Sequence, residues 1–145
     1  MDRTGAATGD GAGPTPQAYP GQRLGRPQSG PGSVASFGPR LLAFILDSAM
    51  SLLVALLLFR PLEQWTVSAV FAVEVLILTA FGGASAGQRV VGMRVVRMSD
   101  GDPIAIPAAI VRTALLLLII PAIIWDADGR GLHDKAAGTV LIRTR

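Results

Sequence analysis

The sequence lacks cysteine and is poor in several residue types that soluble enzymes use. None of the 145 residues is Cys and one is His, so there is no disulfide framework, thiolate metal site or cysteine nucleophile, and zinc or haem ligation has little support. Charged residues make up 16% of the chain and hydrophobic residues 50%. Because a soluble domain of this size needs a larger polar surface, the composition predicts a membrane protein without a metal or cofactor.

The charge balance is basic but small. The 13 Lys and Arg outnumber the 10 Asp and Glu by three, and the pI is about 10.6. A stripe of basic residues with aromatic side chains is typical of nucleic-acid binding. Here the basic residues flank apolar runs and form no such stripe. We therefore expect no nucleic-acid partner, and predict that the lipid bilayer is the main partner of the chain.

The composition changes sharply near residue 40. Residues 1–39 contain 9 of the 17 Gly and 6 of the 10 Pro and have no hydrophobic period, which predicts a disordered tail. No continuous apolar run of about 7 to 15 residues precedes Leu41, so we expect no cleaved secretory signal. Two units are predicted, a Gly- and Pro-rich tail over 1–39 and a transmembrane domain over 40–145.

Three apolar segments follow the tail, at residues 41–59, 66–81 and 104–125. The first has 19 residues and is close to the roughly 20 residues that cross a hydrocarbon core of about 30 Å. In the third, Pro107 suits a first helical turn and Pro121 should kink or end the helix. The predicted fold class is an all-α membrane protein of three apolar helical segments.

A short strand is predicted between the second and third segments. Residues 90–98 alternate in polarity and are followed by Asp100 and Gly101, which are typical of a turn. Residues 139–143 form a second candidate strand that could pair with the first. We expect both strands to lie at the membrane surface.

The basic residues leave the topology open. Three full crossings place six Lys and Arg on one side and five on the other, whereas a third segment that dips in and returns, or lies in the interface, places ten against one. The second arrangement agrees with the excess of positive charge on the cytoplasmic side of membrane proteins. We predict a cytoplasmic N-terminus and 82–103 loop, and leave the side of the C-terminus open.

Three charged residues interrupt the apolar segments, and each needs a partner there. At 1.5 Å per residue, Asp47, Glu74 and Arg112 all lie about 10 to 12 Å from the same face, so they are predicted to form one layer. Two interpretations stay open: an ion-paired cluster that holds the helices together, or a relay for a proton or cation.

Polar residues near the segment ends form a second set. Arg40 and Asp47 lie two helical turns apart, too far to touch, so we expect Arg40 to bind lipid headgroups or a loop carboxylate such as Asp134. His133 next to Asp134 could suggest acid–base chemistry, but the sequence has no serine elbow, phosphate loop or metal-ligand spacing. We expect a capping or packing role for His133 and no enzymatic activity.

Taken together, three motifs resemble the RDD family of small bacterial membrane proteins. They are PRLLAFILDSAM, SAGQRVVGMRVV and RGLHDKAAGTVLI, in this order along the chain. Gln88 stands where the family usually has Lys after Gly, and Arg112 falls where the family commonly has an arginine. The resemblance covers residues 37–145 and assigns these motif residues: Arg40, Asp47, Gly87, Arg94, Asp134, Gly138 and Thr139.

The resemblance implies a bacterial inner-membrane protein that crosses the membrane more than once and has no defining enzymatic activity. Transport of small ligands or ions has been suggested for the family, so one hypothesis is a component of small-ligand, ion or proton transport. Because three short segments are too few to enclose a pathway, this hypothesis requires a homo-oligomer or a partner membrane protein. The alternative is a non-transporting adaptor or assembly factor that binds a partner protein through its cytoplasmic elements.

Overall fold

The computed structural model describes residues 17–118, 124 and 126–145. Its elements are helix α1 (Phe37–Leu58), α2 (Gln64–Gly82), α3 (Ala86–Val91), strand β1 (Met93–Arg97), α4 (Ile106–Leu117), α5 (Leu132–Ala136) and strand β2 (Thr139–Arg143). A single 3-10 turn, Gln22–Leu24, precedes them.

Helices α1 and α2 form an antiparallel pair long enough to span a bilayer. At 1.5 Å per residue the 22 residues of α1 are about 33 Å long and the 19 of α2 about 28 Å. Most large side chains on this pair are exposed, as lipid contact requires, whereas α1 buries small residues such as Ala43, Ser51 and Ala55. These two candidate spans confirm the first two predicted segments.

The third predicted segment, 104–125, is confirmed in part, because α4 (Ile106–Leu117) is an apolar helix within it. Helix α4 has 12 residues, about 18 Å, which is too short to cross the hydrocarbon core. Pro107 lies in its first turn as predicted, where its missing N–H costs nothing. Pro121 and Trp125 lie outside the described residues.

The two predicted strands form an antiparallel pair. β1 runs against β2 with Met93 opposite Arg143 and Arg97 opposite Thr139, which confirms the predicted pairing. The start of the predicted strand is different, because residues 86–91 form α3. This helix begins with a reciprocal capping box between Ser85 and Gln88, a local preference that outweighs the alternation of apolar residues.

Part of the predicted disordered tail has defined structure. Residues 32–35 run along the free edge of β2: the N–H of Gly32 donates to Arg143 O at 2.8 Å, and the N–H of Ala35 donates to Leu141 O at 2.9 Å. Ala35 belongs to the core. Residues 32–35 therefore have a defined position within the predicted tail, since pairing with β2 supplies the backbone hydrogen bonds that this segment cannot make alone. Residues 1–16 lie outside the described part of the chain.

The core lies at one end of the helix pair. It joins α1 and α4 to the sheet through Ala43, Ala109, Ile104, Val95 and Leu141. The elements α3, β1, α5 and β2, which we call the cap, all lie at this end, where α1 begins and α2 ends. The N–H of Val95 donates to Gly83 O directly after α2, at 2.7 Å.

Candidate functional site

Asp134 is the centre of a buried ion-pair cluster. It lies in α5 with no exposed surface, and its Oδ2 accepts a hydrogen bond from Arg40 Nη1 at 2.9 Å. Nη1 of Arg112, which is 2% exposed, lies against the other oxygen, Oδ1. Thr139 Oγ1 is 3.3 Å from the same oxygen. One carboxylate thus joins α1, α4, α5 and β2. Because a charge this deeply buried is costly without a partner, separating these elements would be strongly unfavourable.

Arg40 extends this cluster to the chain before α1. Its Nε donates to Ala35 O at 2.9 Å, and its Nη2 donates to Gly129 O at 3.0 Å. Three of its donors therefore have three different acceptors, and the planar guanidinium fixes their directions. The interaction of Arg40 with Asp134, one of the alternatives predicted from the sequence, is confirmed.

Asp47 is the second buried carboxylate. It is 4% exposed, and it accepts from Ser85 Oγ through Oδ2 and from the Gly87 N–H through Oδ1, both at 2.6 Å. Gly87 approaches α1 so closely that a Cβ at this position would collide with the carbonyl oxygen of Ala43. The absence of a side chain at Gly87 therefore allows its backbone N–H to reach the carboxylate.

Glu74 lies beside Asp47 through a shared serine. Ser51 Oγ is 2.8 Å from Glu74 Oε2 and 2.8 Å from the main-chain oxygen of Asp47. The other carboxylate oxygen of Glu74 is buried and has no hydrogen-bond partner among the described residues. Ser51 thus links the side chain of Glu74 on α2 to the turn of α1 that begins at Asp47.

A cavity of about 330 Å³ lies between the helix pair, α4 and the cap. Phe44 and Phe71 meet edge to face at its side, with ring centroids 5.6 Å apart. Both buried clusters reach its wall, Asp47 from one and Arg40 and Arg112 from the other. Its lining is Phe37, Arg40, Leu41, Ala43, Phe44, Asp47, Phe71, Val75, Gln88, Arg112, Leu116, His133 and Leu141. The space is mainly apolar with a few charged groups, which is the usual make-up of a small-molecule site.

Comparison with known families matches residues 34–138 to the RDD family. The chain belongs to the RDD family. No curated protein and no solved structure matches it. The matched range starts three residues before Phe37 and contains Arg40, Asp47 and Asp134, the residues on which the resemblance rests. In this RDD protein the three residues occupy the two buried clusters at the cavity.

The predicted pairing of Arg112 with Asp47 and Glu74 is wrong. Arg112 pairs with Asp134, and no ion pair within the described ranges joins it to either acidic residue. The prediction from depth includes only the charged side chains of the three apolar segments. Helix α5 inserts a third carboxylate next to Arg112, while α3 supplies neutral donors to Asp47.

The remaining motif residues have structural positions around the clusters. Arg94 is exposed and lies against Gly83 at the end of α2. Gly138 has a φ of +65°, which favours glycine, and it makes the turn that places Thr139 beneath Asp134. These positions explain the residue types without assigning a chemical role to either residue.

His133 is buried and its Nε2 is 3.7 Å from Asp134 Oδ2. Since that oxygen already accepts from Arg40, it is poorly placed to orient the imidazole for proton transfer. No group of three His, Cys, Asp or Glu that could hold a metal occurs in the described part of the chain.

Three residues of the site were not predicted from the sequence: Ser51, Ser85 and Gln88. Serine is common in apolar helices and loops, so Ser51 carries no recognisable signal. The pattern Ser-x-x-Gln before a short apolar run is a capping-box signature and could have identified the start of α3.

Proposed function

We propose that this RDD protein takes part in the transport of a small ligand, ion or proton, with the cavity as its binding site. One observation carries the proposal: buried charges on α1 and α4 face a mainly apolar space within the apolar part of the chain. Buried charges next to such a space are typical of substrate and ion pathways in membrane proteins. A catalytic role forms no part of this proposal.

We place the protein in the bacterial inner membrane with α1 and α2 crossing and the cap on the cytoplasmic side. The position of the cap at one end of the helix pair supports this orientation, because Arg89, Arg94, Arg97, Arg143 and Arg145 then lie on one side and Arg60 on the other. This distribution follows the positive-inside rule. Helix α4 enters from the cap end and does not cross.

Two crossing helices are too few to enclose a pathway, so we propose that a second copy or a partner membrane protein completes it. Exposed apolar side chains such as Leu57, Leu58 and Phe81 leave enough surface for either lipid or another helix. The purified protein in vesicles distinguishes these cases, because a homo-oligomer is active alone.

The test is proton movement in vesicles that contain the purified protein. A pH gradient is imposed and followed with an enclosed pH-sensitive dye, and Asp47→Asn is expected to abolish the protein-dependent flux. Asp100→Asn is the matched control, because it makes the same chemical change at an exposed site in the cap and should leave the flux unchanged. Equal fluxes for the wild type and Asp47→Asn would refute a role of Asp47 in ion or proton transport.

The second candidate function is a membrane adaptor or assembly factor. Arg89, Arg94 and Arg145 are exposed and have no carboxylate partner among the described residues, which suits an acidic protein surface. Replacing all three with Gln should remove a co-purifying protein and leave thermal stability unchanged. Retention of every co-purifying protein by the triple variant would contradict this candidate.

A further inference from the structure

The guanidinium of Arg112 has more N–H donors than it has acceptor atoms around it among the described residues. A guanidinium carries five N–H groups, and Arg40 directs three of its own to Asp134, Ala35 and Gly129. Arg112 is more deeply buried than Arg40, yet its contact with Asp134 Oδ1 is its one polar contact among the described residues. A buried donor without an acceptor is costly, so spare N–H groups in a buried guanidinium call for an acceptor.

The cavity gives these N–H groups room for such an acceptor. Arg112 forms part of its wall, and the apolar lining includes Phe44, Phe71 and Leu116. A molecule that fills the space must therefore combine an acceptor group with an apolar body. The volume, about 330 Å³, is at the small end of the range for ligand sites, roughly 300 to 1,000 Å³.

Charge favours an anionic acceptor group near Arg112. Two guanidinium groups, those of Arg40 and Arg112, occupy the two oxygens of the single carboxylate of Asp134, which leaves neither oxygen for the other N–H groups of Arg112. Asp47, which also lines the cavity, already accepts from Ser85 and Gly87 through its two oxygens, so it offers less to a cation. An oxyanion also matches the paired donors of a guanidinium.

We propose that the cavity binds one alkyl chain of an anionic amphiphile, with the carboxylate or phosphate on Arg112 and the chain against Phe44, Phe71 and Leu116. This inference rests on the proposed function and names the ligand class of the same cavity. The shared chemistry is an oxyanion attached to an alkyl chain, whether the source is a free amphiphile or a bilayer lipid.

The test uses decanoate and the full-length protein in nanodiscs of phosphatidylcholine, with empty nanodiscs subtracted, by equilibrium dialysis. Saturable binding of decanoate or decyl phosphate is expected. Decanol, decyltrimethylammonium and inorganic phosphate should not bind saturably, since each lacks the charge, the correct sign or the chain. Saturable binding of decyltrimethylammonium as strong as that of decanoate would overturn the proposal. Loss of decanoate binding in nanodiscs doped with phosphatidylglycerol would identify the bilayer lipid as the natural source of the same group.

Two kinds of variant separate the headgroup contact from the chain contact. Arg112→Lys keeps the charge beside Asp134 but loses the paired donors, and should weaken decanoate binding about tenfold, the equivalent of one charged hydrogen bond. Leu116→Trp fills the cavity, leaves every ion pair intact and should abolish binding. Leu117→Trp is its matched control, because the adjacent side chain is exposed and does not line this cavity.

Unchanged affinity in both Arg112→Lys and Leu116→Trp would overturn the proposal. If Arg112→Lys fails to fold, as judged by its Tm, Leu116→Trp decides the outcome by itself. Failure of the inference is distinguishable from failure of the transport proposal. A proton flux that depends on Asp47 without decanoate binding refutes the ligand class alone, whereas decanoate binding without any flux refutes transport alone.

Discussion

Substituting Asp134 by Asn tests whether the buried cluster holds the cap to the membrane helices. The amide has nearly the shape of the carboxylate, so the change removes the charge and largely preserves the packing. Asp134 has no exposed surface and its two guanidinium partners are also buried, so water cannot replace the lost charge. Removing one partner of such a pair costs about 3 to 5 kcal/mol, because an uncompensated charge stays buried.

Arg40 keeps its bonds to two main-chain oxygens after this change, but Arg112 loses its charged partner. We therefore expect Asp134→Asn to be more damaging than Arg112→Gln, which leaves the pair between Arg40 and Asp134 in place. The expected decrease in Tm is about 10 °C for a chain of this size. Thermal unfolding in detergent, followed by the loss of monodisperse protein, measures it.

Asp100→Asn is the control for this experiment. Asp100 pairs with Arg97 at 3.0 Å, but the two side chains are 39% and 44% exposed, so solvent screens the pair and the loss of Tm should be small. If Asp134→Asn and Asp100→Asn lowered Tm equally, the cluster would not be a stabilising element and the reasoning from burial would be refuted.

Two further predictions concern the close contact of α3 and the topology. Gly87→Ala should destabilise the protein by about 1 to 3 kcal/mol, because its Cβ meets the carbonyl oxygen of Ala43, whereas Gly38→Ala, which meets nothing within 4 Å, should not; equal Tm values would contradict this. Reporter fusions at Arg145 and in the loop 60–65 should report opposite sides of the membrane, since β2 pairs with the residues before α1; signals from the same side would refute the placement of the cap.

The elements that the sequence predicts best are those whose formation depends on a single segment of the chain. The first two apolar segments appear as α1 and α2 because length and hydropathy are local properties. The pairing of residues 90–98 with 139–143 also follows from alternation, since two short strands must hydrogen-bond somewhere. The third segment is different, because its hydropathy leaves the crossing open, and α4 is a helix of 12 residues in which Arg112 pairs with Asp134 of α5.

Only part of the candidate site can be predicted from the sequence, because its charged residues have their partners in distant segments of the chain. Asp47, Glu74 and Arg112 are recognisable because a charge in an apolar run is costly wherever the run is placed. Their partners are not recognisable, since Ser85, Gly87 and Asp134 lie 22 to 40 residues away from them in the chain. The position of a residue along a helix predicts its distance from the membrane surface, but it does not predict which distant segment packs against it.

The sequence by itself determined that this is a membrane protein, to which family it belongs, and which residues carry charges that need a partner. The scarcity of charge, the absence of cysteine and the three ordered motifs are enough for that. The tertiary structure decided which charges meet, and divided them into one cluster around Asp134 and another around Asp47 with a cavity between them. Burial and hydrogen bonding act between segments distant in the chain, so these pairings exist only once the cap has folded onto the helices.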